Sequence, residues 1–415
     1  MKIIILLLII MAFGCREKDT SIDQNPEKFN KSPLLLGIDN FLAYHTHLVS
    51  GKRTGLLTNQ SGVNYAFEST IDILHSNPTV HLSALFAPEH GIRGKVYAGE
   101  EVESIKYNQY NLPVYSVYRI NQQSLNETVK KMDVIIIDIQ DIGIRPYTYI
   151  YAMAKLMRAA AENSKLIIVL DRPNPISGMY PEGNLIREGF FSEVGLFPIP
   201  YRHGMTIGEL ALLFNHQYGI GAELKVIPMK GWERSMFWQE TGLQWIPTSP
   251  HVPSCETILY LCITGMIGEL HTLSNGVGYT TPFMLIGAPW MDAHLLSRQL
   301  NNLELNGIRF RPIYFKPFYA LYKGLVCRGV QLHITDLHQI RPFRCCLHII
   351  QSVMRLYPDH ELFSNKKNVE MFNKVIGTDE IISKLKKGFA IEQIEKSWQE
   401  ELNNFLIIRK KYLLY

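Results

Sequence analysis

The chain lacks the usual short-cuts to a function. Its 415 residues carry a net charge of only +4, spread along the sequence. No clustered basic stripe is present, which excludes nucleic acid as a partner. Beyond Cys15 the cysteines are Cys255, Cys262, Cys327, Cys345 and Cys346. Odd in number and without repeated two-residue spacing, they make neither a disulfide scaffold nor a zinc ribbon. G-x-S-x-G is missing, so a nucleophile-elbow hydrolase is unsupported. There is no G-x-x-x-x-G-K-[ST] phosphate loop, no G-x-G-x-x-G after the first strand, and no H-E-x-x-H zinc helix. "GVGY" at 276–279 is too short to cradle a phosphate. No internal repeat is evident.

Long apolar runs are scarce as well. The longest opens the chain, in "MKIIILLLIIMAFGC". It is shorter than the ~18–20 apolar residues that span a bilayer. An early Lys2, an apolar core and a Gly14-Cys15 end predict a lipoprotein-type signal over 1–15, with Cys15 acylated. The polar stretch after it predicts a flexible tether over 16–33. The expectation is an exported protein on the periplasmic or outer surface, touching a membrane only through a lipid on Cys15.

What is present is an ordinary globular composition, 47% hydrophobic and 19% charged. "RTGLLTN" (53–59), "VHLSALF" (80–86), "DVIIIDI" (133–139), "KLIIVLD" (165–171) and "LKVIPM" (224–229) predict strands. The runs at 133 and 165 are nearly all apolar, as in strands buried on both faces of a parallel sheet. Between them "TYIYAMAKLMRAAAEN" (148–163) has helical spacing. So has "MTIGELALLFNHQYG" (205–219), with Thr206 as N-cap and Glu209 three residues on. This alternation predicts an α/β doubly wound sheet over 34–285. From 286 to 415 the texture changes to two strands, "GIRFRPIYFKP" and "CRGVQLHITD", and then helices, which predicts a smaller α+β domain. "AIEQIEKSWQEELNNFLIIRKKYL" reads as one terminal helix.

In an open parallel sheet, ligands bind beyond the carboxyl ends of the strands. Three polar motifs follow predicted strands directly: Glu89, His90 and Arg93 after the strand at 80; Asp138, Gln140, Asp141, Arg145, Tyr147 and Tyr149 after that at 133; Asp171, Arg172 and Asn174, then Glu182, after that at 165. Chain direction alone brings all three to one edge. Each also has a plainer reading. Aspartates at strand ends form turns or caps, the prolines of "DRPNP" fix a rigid loop, and Asp171 could pair with Arg172. A metal site built from Glu89, His90, Asp138 and His203 stays open, since ligands from separate loops leave no fixed spacing. Carboxylates among arginines, asparagines and aromatics suit glycoside hydrolysis. Trp232, Trp238, Trp245 and Trp290 are either sugar platforms or, more simply, core residues.

"GLLTNQSGV", "LFAPEHGIRG", "DIQDIGIRPYTYI", "LDRPNPISG", "RHGMTIGELA", "GWERSMFW", "TGLQWIPTSPHVP" and "PFMLIGAPW" occur in this order from 55 to 290. Together they resemble the bacterial exo-β-N-acetylmuramidase family over nearly the whole of 35–415. The resemblance implies a Rossmann-like, mostly parallel domain, a smaller auxiliary domain and a cleft between them. It implies removal of β-1,4-linked N-acetylmuramic acid from the non-reducing end of peptidoglycan fragments, with no cofactor and no metal. It implies Glu89 as general acid and Glu182 as the second carboxylate. His90, Asp138, Gln140, Asp141, Tyr147, Asp171, Asn174 and His203 would orient the sugar. The lactyl carboxylate needs a cation: Arg145 or Arg172, with Arg93 and Arg202 behind them. Departures from the family pattern fall in "GELHTLSNGVGYTTPF", where relatives carry "EGTN" and "GRGT" and Tyr279 takes the arginine's place. Others are Ser249-Pro250-His251-Val252-Pro253 for "SPNxP" and Pro181-Glu182-Gly183-Asn184 for "VEGP". They bear on fragment length and on tolerance of a peptide stem. A muropeptide-binding lipoprotein without activity and a metal-dependent amidase or deacetylase are the alternatives.

Overall fold

The computed structural model of the protein describes residues 34–97, 99, 100 and 105–415. The expected signal and tether, 1–33, lie outside the described residues. The strands are β1 (Arg53–Leu57), β2 (His81–Ala87), β3 (Ile105–Tyr107), β4 (Leu112–Ser116), β5 (Val134–Ile137), β6 (Leu166–Leu170), β7 (Glu182–Leu185), β8 (Pro200–Arg202), β9 (Glu223–Ile227), β10 (Leu285–Ala288), β11 (Ile308–Phe315) and β12 (Cys327–Ile334). Seven of them form the main sheet in the order β3-β4-β2-β1-β5-β6-β9. All its pairings are parallel except that of β3 with β4 at the edge.

The all-apolar runs explain the layering. Successive strand residues point to opposite faces. Leu56, Val134, Ile136, Ile168 and Leu170 therefore pack on one face, with Ile38, Phe41 and Leu74 from helices Gly37–Tyr44 and Thr70–Ser76. Leu57, Ile135, Ile137, Ile167 and Val169 pack on the other, against helices Tyr149–Glu162 and Ile207–His216. The second of these helices starts where its capping box sets it. Thr206 Oγ1 accepts from the Glu209 amide at 3.3 Å, and Glu209 accepts from the Thr206 amide at 3.0 Å.

A third core gathers the small antiparallel sheet β10-β12-β11 with helices Pro342–Leu356 and Lys366–Ile376. Helix Glu256–Gly268, on the first-domain side of the 285/286 boundary expected from sequence, packs into this core and against helix Pro342–Leu356. The buried cysteines are free thiols that serve as small apolar groups. Among the described residues no helix is long and apolar enough to cross a membrane.

The C-terminus differs from the single helix expected. That run breaks at Ser397–Trp398 into Ile391–Lys396 and Gln399–Arg409, because Trp398 turns in edge-on against Phe343 at 5.7 Å. The last helix ends at Arg409, and the tail enters the first core. There the Tyr415 hydroxyl donates to Asp171 Oδ2 at 2.8 Å, and Arg234 binds the Tyr415 main-chain oxygen at 3.2 Å. Asp171 also accepts from Thr206 Oγ1 and from the amides of Gly208 and Arg172. It thus joins β6, the helix that follows β8, and the chain end.

Burial pushes the Asp171 carboxyl up to about 7, with the nearby Glu209 charge adding to the shift. A folded-state value above the unfolded one means that folding takes up a proton. The contribution is complete below the ordinary aspartate value, about 3.9, and is lost as pH rises through 7. In urea denaturation at pH 4.5 to 7.5, Asp171→Asn is expected to make unfolding free energy fall less steeply with pH than in wild type.

Candidate active site

The main-sheet strands end together, and the polar motifs meet there as chain direction required. β2 runs into Pro88-Glu89-His90-Gly91. His90 has φ of 70° and Gly91 φ of 76°. A non-glycine residue in the left-handed region is strained and persists only where its surroundings hold it. Here His90 Nδ1 is 2.7 Å from the Val96 carbonyl, and its ring lies edge-on to Tyr149. The turn drives Glu89 inward, leaving it 9% exposed. One carboxylate oxygen accepts from the Gly99 amide at 3.0 Å, the other from the Thr148 hydroxyl at 2.6 Å. Both partners are neutral. Tyr118, just past β4, lies against the same group; its phenol is pushed up to about 12 by burial and then by the Glu89 charge.

Beside Glu89 the loop after β5 forms the floor of a cleft of about 640 Å³ lined by Tyr147, His251, Glu269, Ser274, Asn275 and Leu321, among others. Tyr147 packs edge-on to Tyr149 at 4.7 Å and donates to Thr248 Oγ1 at 2.8 Å. Tyr149 donates to the Thr248 carbonyl and accepts from Asn59 at 2.9 Å. Gln60 donates to the carbonyls of Pro247 and Thr248 at 2.8 and 3.0 Å. The ends of β1, β2 and β5 are thereby tied to the loop that carries His251. On the far side His251 Nε2 is 2.9 Å from the Tyr319 hydroxyl.

Several expected sugar ligands are instead committed to the scaffold. Asp138 and Arg172 form a bidentate ion pair, Nε to Oδ1 at 2.5 Å and Nη2 to Oδ2 at 2.9 Å, with Thr70 donating to Asp138. Arg172 therefore pairs with Asp138 rather than Asp171. Arg145 is wholly buried, and its Nη1 and Nη2 donate to the carbonyls of Asn184, Ile199, Val375 and Ile376. Burial pulls it down to about 10. Arg202 is buried over the Tyr180 ring and donates to the Ile176 carbonyl. Of the four arginines expected to meet a lactyl carboxylate, only Arg93 is exposed, over the Tyr107 ring.

Asn174 closes its own loop, accepting from the Ile176 amide and donating to the Met205 carbonyl. Gln140 donates to the carbonyls of Asp141 and Pro173. His203 accepts from the Met205 amide at Nδ1, so Nε2 carries the proton that meets Asp141 Oδ2 at 3.1 Å. The four candidate metal ligands thus have separate partners: Thr148 and Gly99 for Glu89, Val96 for His90, Arg172 for Asp138, Asp141 for His203. Among the described residues no group of three or more His, Cys, Asp or Glu side chains is arranged to hold a metal ion.

Glu182 shares none of the partners of Glu89. It sits on β7, opposite Arg202 of β8, and accepts from the Arg344 amide in the first turn of helix Pro342–Leu356 at 3.0 Å. Its other oxygen is buried without a partner. Desolvation pushes it up to about 7, against the pull of the Arg344 amide and of Arg202. Trp232 and Trp238 are core residues, Trp245 packs edge-on to Trp238, and Trp290 stacks on His360. Passed over in the sequence were Thr148, Tyr118 and Glu269. Glu269 carried a signal: it is a carboxylate at the C-terminal end of an apolar helical run, where the helix dipole disfavours it.

The profile described as exo-beta-N-acetylmuramidase NamZ, N-terminal, matches residues 54–256, and its C-terminal counterpart matches 259–415. The chain belongs to this family. It is 41% identical over 98% of its length, and 97% of the relative's, to the peptidoglycan beta-N-acetylmuramidase NamZ of Bacillus subtilis. Two crystal structures of DUF1343 family proteins from Bacteroides fragilis share the two-domain fold. One has a TM-score of 0.87 at 42% identity, the other 0.70 at 27%. Each comparison covers 92% of this chain and 99% of the other.

Breaking a buried ion pair from one side strands the remaining charge. Asp138→Ala is expected to cost about 3–5 kcal/mol, read from the urea midpoint, and more than the double variant Asp138→Leu/Arg172→Met.

Proposed function

We propose that the protein is an exo-acting glycosidase that removes β-1,4-linked N-acetylmuramic acid from the non-reducing end of peptidoglycan fragments. Glu89 is its general acid. The observation that carries this is the Glu89 carboxyl itself: nearly buried, set by a strained turn at the carboxyl end of β2, and held by Thr148, the chain neighbour of Tyr147 in the floor of a cleft of sugar size. An acid must hold a proton until the glycosidic oxygen takes it. The Gly99 amide and the Thr148 hydroxyl fix both Glu89 oxygens in place for that transfer. Family membership and the 41% identity to a peptidoglycan β-N-acetylmuramidase supply the sugar.

With Arg145, Arg172 and Arg202 buried in the scaffold, Arg93 is the remaining candidate of the four for the lactyl carboxylate. The lipoprotein-type pattern of residues 1–15 supports export and attachment to a membrane through Cys15.

The direct test is a chromogenic N-acetylmuramic acid β-glycoside. Wild type releases the chromophore, release persists in EDTA, and Glu89→Gln lowers kcat by about 10²–10⁴, the usual worth of a positioned acid. Binding without release in wild type would mark a capture protein, and loss of release in EDTA a metal-dependent hydrolase. Anchoring is checked separately: a clickable fatty acid fed to cells labels wild type and leaves Cys15→Ala unlabelled.

A further inference from the structure

One carboxylate in the cleft breaks every rule that makes a buried anion comfortable. Glu269 follows directly on helix Glu256–Gly268 as its C-terminal cap residue. The negative end of the helix dipole lies there, and it repels an anion. The side chain is half-buried in the cleft wall, facing the same space as Tyr147 and His251. Among the described residues it makes no hydrogen bond and no ion pair, in a fold that pairs Asp138 with Arg172 and Glu209 with Arg234. Desolvation raises its pKa, with no compensating cation. Local rules are broken in this way where function requires it.

The floor of the cleft leads directly to the residue that holds Glu89. Tyr147 on its floor is the chain neighbour of Thr148, whose hydroxyl holds Glu89. Glu182 offers no equivalent: its free oxygen is closed off from solvent, and its other oxygen caps a helix.

We infer that Glu269, and not Glu182, is the second catalytic carboxylate, facing the positive charge that develops at the anomeric carbon. The inference rests on the glycosidase reading above. Glu89 gives its proton to the glycosidic oxygen while the C1–O bond breaks and its electron pair leaves with that oxygen. Positive charge appears on C1 and the ring oxygen, opposite the Glu269 carboxylate. A water oxygen then bonds to C1, and the proton it sheds returns to Glu89. A desolvated anion without a partner is poorly stabilised in the free enzyme and gains its counter-charge only as the transition state forms. That is the difference in binding that accelerates a reaction.

The pH dependence follows. Glu269 must be ionised, and its raised pKa places the acidic limb of the rate profile above the ordinary carboxylate range. Activity falls as pH drops through that limb.

The test uses the full chain and the chromogenic N-acetylmuramic acid glycoside. Glu269→Gln is expected to lower kcat by about 10²–10³, of the size found on removing one transition-state electrostatic contact. KM should stay within about threefold, and the acidic limb should disappear. Glu182→Gln is expected to keep the acidic limb. Should Glu269→Gln not fold by circular dichroism, Glu269→Asp serves instead, with kcat about tenfold down and the acidic limb retained but displaced. A Glu269→Gln enzyme with near wild-type kcat and an intact acidic limb overturns the inference, as does loss of that limb in Glu182→Gln. No release by wild type overturns the glycosidase reading, and this inference with it. Release by a wild type whose Glu269 is dispensable overturns this inference alone.

Discussion

The buried guanidinium of Arg145 fixes the geometry on which the site depends. It is closed off from solvent, and among the described residues no carboxylate pairs with it. Its charge is met by four main-chain carbonyls, two from around β7 and β8 and two from the end of helix Lys366–Ile376. Its own amide donates to the Tyr201 carbonyl, and its carbonyl accepts from the Tyr151 hydroxyl. The helix beneath must stop at a glycine for this to work. Gly377 has φ of 84°, and a Cβ there would lie 2.8 Å from Arg145 Nη2. With Arg145 held on all sides, the next three residues have no freedom of placement. Pro146 and Tyr147 become cleft floor, and Thr148 reaches Glu89.

This explains which parts of the molecule were legible in the sequence. The central strands were, because β5 and β6 are buried on both faces and read as unbroken β-branched runs. Strands β3 and β4 were not: they lie toward a sheet edge, are partly exposed and mix polar residues with proline. β7, with glycine and asparagine inside it, forms only because β8 lies beside it. Convergence of the three polar motifs was legible from chain direction. The division of labour inside each motif was not. Arg172 finds its carboxylate 34 residues away in Asp138, Arg145 finds carbonyls 230 residues away, and Asp171 finds the last residue of the chain. Motif spacing records which residues are near in sequence, and these partners are near only in space. The break before Trp398 and the inward turn of the tail were hidden for the same reason: an aromatic anchor and a buried acceptor override local helical preference.

Electrostatics then separates scaffold from site. Beneath the strand ends, the ionised side chains are matched: Asp138 with Arg172, Glu209 with Arg234, Arg145 with carbonyls. Matched charges in a poorly hydrated interior hold geometry more than they add stability. In the cleft wall, Glu269 has no partner among the described residues. A sugar binding there meets a carboxylate whose charge the protein does not already offset.

The two ends of the cleft are held unequally. At the base, four hydrogen bonds from a cation join the layers through Arg145. At the rim, the joining bond from His251 is one contact to the Tyr319 hydroxyl at 2.9 Å. Burial, with the nearby His90, lowers the His251 pKa, so that contact is between neutral groups. A neutral hydrogen bond adds about 1 kcal/mol net, whereas bonds to a charged group contribute about twice that each and leave a buried charge exposed if broken. The base is thus the more firmly held end of the cleft.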